Sequence, residues 1–64
     1  MASNNKVQDT YPVDEDWLSD KATESDYWKS SHDFYIKMKR NDVDSLSSKQ
    51  LGWIEKIYGS YNES

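Results

Sequence analysis

The apolar residues of this chain gather in two stripes of helical spacing, parted by a short polar break. In the first, Tyr27, Ser31, Phe34 and Met38 recur at intervals of three and four, flanked by Trp28 and Tyr35. That spacing turns one face of a helix toward a core. Ser25 precedes it as an amino-terminal cap, and Asp26 lies in the first turn, where the helix dipole favours negative charge. The helix is expected over about residues 26–41. Asp33 and Lys37, four apart and in the favoured order, add ~0.2–0.5 kcal/mol. Asn41-Asp42-Val43-Asp44-Ser45 then reads as a turn, because short polar side chains bond to nearby backbone in place of helix. Val43 is its one apolar residue and is expected to tuck inward.

The second stripe has a start, a face and a stop. Ser47-Ser48-Lys49-Gln50 fits a capping box, with Leu46 and Leu51 placed for a hydrophobic staple. Leu51, Ile54 and Tyr58 form the stripe, and Trp53 and Ile57 widen it. Lys56 falls in the expected last turn and Gly59 supplies a left-handed stop, giving a helix over about 48–58. Gly52, inside that helix, costs roughly 1 kcal/mol relative to alanine. It is either tolerated or lets another backbone approach, from the first helix or from a partner.

The front of the chain carries no such periodicity. Residues 1–12 are expected as a disordered tail, rich in Asn, Ser and Gln, with Tyr11-Pro12-Val13 extended. Asp14 caps a short helix over 14–22, carrying Trp17 and Leu18. One or two turns do not hold alone, so these two side chains must dock on the body or the segment frays. The expected fold is all-α: a helical hairpin with a short additional N-terminal helix and a disordered tail, residues 13–64 forming a single small helical domain. Trp28, Phe34, Tyr35 and Met38 would face Leu51, Ile54, Ile57 and Tyr58. Nothing alternates with period two for long enough to make a sheet.

Composition sharpens this picture. Only 34% of the 64 residues are apolar and 31% are charged, near the border of self-sufficient folding. The three tryptophans, five tyrosines and one phenylalanine move it to the folded side, since each ring can bury roughly 150–250 Å². A core of this size rarely supplies more than ~3–5 kcal/mol net. With no cysteine and a single histidine, His32, neither disulfides nor the usual zinc sites contribute. Asp14, Glu15, Asp16 and Asp20 lack the glycine turn and twelfth-position glutamate of a calcium loop, so no metal or cofactor is expected. No run approaches the ~18–20 apolar residues of a membrane span, and residues 1–6 lack a secretory apolar stretch. A cytoplasmic setting is expected. Asn62-Glu63-Ser64 matches a glycosylation acceptor by chance.

The charge of −4 is unevenly divided. Residues 1–26 hold seven acidic against two basic side chains, and residues 27–64 hold six basic against five acidic. An acidic arm precedes a nearly neutral body. The arm keeps an aromatic-rich chain in solution and is attracted to basic surfaces. Convergent groups in a dry pocket are what catalysis needs, and a body this small leaves little room for them. His32 reads as a surface histidine, and two glycines make no phosphate loop. The chain is expected not to be an enzyme.

From Trp28 to Tyr58 the order is aromatic helix, polar turn, then Leu46-Ser47-Ser48-Lys49-Gln50-Leu51-Gly52-Trp53-Ile54-Glu55-Lys56-Ile57. This Leu-Ser-x-Lys-Gln-x-x-Trp pattern resembles the small helical accessory domain associated with the UvsW helicase of T4-like phages. The likeness covers about half the chain, and much of it is a capping box open to any helix. The resemblance implies a small module assisting a DNA-processing enzyme, in host cytoplasm for a phage protein. The acidic arm departs from what a self-sufficient DNA-binding module carries, and no catalytic residue carries over.

The function expected is therefore a non-catalytic interaction module: an adaptor or modulator of a protein partner, with a nucleic-acid-processing enzyme as the class implied. Trp17, Trp28, Tyr35, Trp53, Asp14, Glu15 and Asp16 are the partner-binding candidates. A first alternative is a weak nucleic-acid-binding module using Lys37, Lys39, Arg40 and Lys49, with phosphate contacts and base stacking. A second is an inhibitor whose acidic arm imitates nucleic acid, a role that deletion of residues 1–22 should abolish. A two-helix hairpin also leaves one apolar edge open, which homodimerisation would cover.

Overall fold

The computed structural model describes residues 5–64, and its helices are α1 (Val7–Thr10), α2 (Glu15–Lys21), α3 (Asp26–Met38) and α4 (Ser48–Glu63). A single 3₁₀ turn, Val43–Ser45, lies between α3 and α4. The fold is all-α, and the described residues contain no strand beyond one isolated antiparallel bridge, Lys6 with Asp42. No described helix is long and apolar enough to cross a membrane.

The caps stand where the sequence places them. Asp14 accepts from the Asp16 amide at 2.9 Å, and Ser25 accepts from the Trp28 amide at 3.2 Å. At α4 the box is closed in both directions: Gln50 N–H donates to Ser47 Oγ, and Ser47 N–H donates to Gln50 Oε1. Two boundaries differ from expectation. Helix α3 ends at Met38, before residue 41, because the amides of Val7 and Gln8 bind the carbonyls of Asn41 and Lys39, each at 3.0 Å. The free donors that open α1 thus meet acceptors just past α3, satisfying groups that helix ends otherwise leave unpaired. Helix α4 runs on past Gly59, which does not adopt a positive φ. Its extension carries Tyr61 onto Trp17, ring centroids 5.1 Å apart. Lys56 consequently sits in mid-helix, away from any terminus.

The front of the chain is the largest correction. The expected tail over 1–12 falls partly outside the described residues, at 1–4, but residues 5–12 are ordered. Val7 is fully buried and α1 packs it into the core, while Val43 N–H reaches back to the Asn5 carbonyl at 2.7 Å. The buried apolar core is Val7, Val13, Leu18, Tyr35, Ile54 and Ile57. Half of it therefore comes from before residue 22. Single aliphatics set in polar sequence make no stripe, so Val7 and Val13 carry no periodic signal. The anticipated open edge of the hairpin is covered by this arm.

Tyr35 joins arm and body. Its ring is 1% exposed, and its hydroxyl accepts from Val13 N–H at 3.2 Å and donates to the Tyr11 carbonyl at 3.0 Å. Both backbone groups flanking Pro12 are held by one side chain. Leu46 packs against the core, whereas Leu51, expected within the interface, is only half-buried and stands outside that packing.

Candidate functional site

Most of the aromatic surface expected to bind a partner is used internally. Trp17 meets Trp28 edge-on at 5.7 Å, and Trp28 meets Tyr27 at 5.4 Å. The row therefore runs Tyr61, Trp17, Trp28, Tyr27, crossing α4, α2 and α3. The Lys21 ammonium lies 5.1 Å from the Trp28 ring centre and 5.9 Å from that of Trp17, within the ~6 Å reach of a cation–π contact. Tyr35 is a core residue and offers no docking surface. Tyr35 and Tyr11 both have phenol pKa values raised above the usual 10.0. Burial is the main cause for each; at Tyr11 the bond to Glu55 adds to it, and at Tyr35 the bond from Val13 opposes it.

The two charged candidate sets are also partly consumed. Asp14 is a helix cap, and Glu15 Oε2 accepts from Lys39 Nζ at 2.6 Å. That pair ties α2 to the end of α3 and removes Lys39 from the expected basic patch. Lys37, Arg40 and Lys49 are exposed, as is Asp16, but Lys39 no longer links them. His32 Nδ1 lies 3.9 Å from Asp33 Oδ1 on the surface of α3. No group of three His, Cys, Asp or Glu side chains among the described residues is placed to hold a metal ion.

A different constellation emerges on the α3–α4 face. Tyr27, Lys49, Gly52, Trp53 and Lys56 line an open groove of about 330 Å³. The four α4 residues stand at i, i+3, i+4 and i+7, one face of a helix over two turns. Tyr27 closes the other side with 51% of its surface exposed. Trp53 is fixed in place: its ring stacks on Phe34 at 4.5 Å with 12° between planes, and its Nε1–H donates to Ser31 Oγ at 2.9 Å. The buried Ser31 hydroxyl in turn donates to the Tyr27 carbonyl at 2.9 Å, so the serine anchors the Trp53 indole to the α3 backbone.

Gly52 forms part of this groove, and a Cβ added there would meet nothing within 4 Å. Packing of α4 on α3 therefore does not require the glycine. The sequence marks Trp53 and Lys49 as binding candidates, but its periodicity places Tyr27 in the core stripe and Lys56 at a helix terminus. The spacing Lys49–Gly52–Trp53–Lys56 was the available signal. Its meaning depends on Tyr27 of α3 standing exposed across from that face. No protein-family model, curated protein or solved structure matches the chain.

Proposed function

We propose that this chain is a non-catalytic interaction module that docks on a protein partner through the groove between Tyr27 and the Lys49–Lys56 face of α4. The observation that carries this reading is the exposure of Tyr27 beside a braced Trp53, in a chain whose other tryptophans are engaged in the aromatic row. Preformed, rigid aromatic surface is characteristic of binding hot spots, because little side-chain freedom is lost on docking. The partner class in this reading is a nucleic-acid-processing enzyme, in the cytoplasm, as the resemblance over residues 28–58 to the UvsW-associated domain implies.

Direct nucleic-acid binding is less well supported, since Lys39 is neutralised by Glu15 and the net charge is −4. Mimicry of nucleic acid by the acidic arm is weakened in the same way, because Asp14 and Glu15 serve the fold.

A photo-cross-linking phenylalanine analogue at position 27 of the full chain, irradiated in native cell extract, tests the proposal. A discrete protein adduct is expected there and none from the same analogue at Ile36, an exposed apolar residue outside the groove. Adducts to nucleic acid alone, or no adduct at position 27, would overturn it.

A further inference from the structure

We infer that the groove takes an acidic peptide segment of the partner, with one apolar side chain seated on Tyr27 and Trp53 over Gly52 and neighbouring carboxylates on Lys49 and Lys56. This inference rests on the interaction-module reading and specifies its ligand.

Charge complementarity selects the occupant. Lys49 and Lys56 are exposed and take part in none of the lysine–carboxylate pairs among the described residues, which use Lys6, Lys21 and Lys39. They stand seven positions apart on the helix, about 10 Å along the axis, and the aromatic wall lies between. A ligand fitting that layout is apolar at its centre and anionic at its flanks. Two cations at the edges also match an ordinary charged rim around an apolar contact.

Gly52 supplies an independent argument. It weakens its own helix without relieving any internal contact, and it lies between the two lysines on the groove face. Its missing side chain is what leaves the floor open. The volume, near the lower end of ligand-site sizes, suits an anchoring side chain and its backbone better than a large cofactor. A polyphosphate chain is the poorer match, because neutralising many phosphates needs more cations than the two this face offers, and phosphates have no apolar side chain to seat on Tyr27 and Trp53.

The test is a ¹⁵N-correlation NMR titration of the full chain with a short Glu/Asp-rich peptide bearing one central leucine. The Gly52 amide and Trp53 indole signals should shift saturably while the Trp17 indole, outside the groove, stays in place. Affinity should fall more than about tenfold in the Lys49→Glu/Lys56→Glu double variant, and steeply with salt. Gly52→Leu, which fills open space with a good helix former, should fold and lose binding to a similar extent. The leucine-to-glycine peptide should not bind. Absence of saturable shifts at Gly52 and Trp53, undiminished binding by the folded Gly52→Leu variant, or shifts with oligodeoxythymidine in place of the peptide would each overturn the inference. A protein adduct at position 27 that persists in the double-lysine variant would remove the acidic ligand and leave the module. Peptide binding without any protein adduct would remove the module instead.

Discussion

Tyr35 shows how much one hydroxyl can organise in a chain this small. It satisfies the backbone on both sides of Pro12 from within the core. Tyr35→Phe keeps the ring but leaves Val13 N–H without that acceptor, and a buried donor left unpaired costs about 1–3 kcal/mol. Urea denaturation should register a loss in that range. The same phenol gives the fold an alkaline limit. Its pKa, like that of Tyr11, is higher in the folded chain than the usual 10.0, so the folded state holds these protons more tightly than the unfolded state does. The corresponding stability is complete below pH 10 and drains away as pH rises through 10 and past the raised values. The melting temperature should therefore fall above pH 10, and less steeply in Tyr35→Phe. Gly52 behaves oppositely. Gly52→Ala adds a methyl to open space in mid-helix and should stabilise the chain by about 1 kcal/mol, read as a rise in melting temperature. A loss of stability would mean that the glycine is required by packing after all.

Among the elements, α4 has the most explicit local instructions and was the most legible. Ser47 and Gln50 are spaced for a reciprocal cap, and both bonds form. Ser47→Ala should cost about 1 kcal/mol, measurable as a shift in denaturation midpoint at unchanged slope. Gly59 matches a stop signal when local propensity is considered alone, but the contact of Tyr61 with Trp17 rewards another turn of helix. Helix α3 shows the converse, since its end is set by amides from residues some thirty positions earlier. Caps and stripes are short-range features, and those parts of the fold could be read directly. Ends decided by distant partners could not. The groove shares this limit. Lys49, Gly52 and Trp53 lie within four residues of each other, but the exposure of Tyr27 follows from the way α3 and α4 meet.

For the molecule as a whole, the acidic front is part of the body. Val7, Val13 and Leu18 make up half of the buried apolar set, and Lys6–Asp42 and Glu15–Lys39 tie the arm to the region after α3 from outside. Those exposed ion pairs contribute little by themselves; the aliphatic burial carries the weight. Removing the methyl groups of Val7 in Val7→Ala should cost about 2 kcal/mol, a large share of the ~3–5 kcal/mol that a core of this size provides. Deleting residues 1–22 takes away all three side chains together with the backbone that Tyr35 holds. The remaining α3–α4 pair would expose Tyr35, Ile54 and Ile57 to water, and no cooperative unfolding transition should survive in the truncated chain. Loss of partner binding after that deletion would consequently report loss of fold, not loss of an acidic docking arm. Charge reversal of the exposed Asp16 and Asp20 separates the two. It leaves Val7, Val13, Leu18 and the Asp14 cap intact, so a chain that melts normally and still yields the position-27 adduct assigns the arm to architecture. A folded chain that no longer yields it would assign these acids to recognition. The packing of the arm predicts the first result.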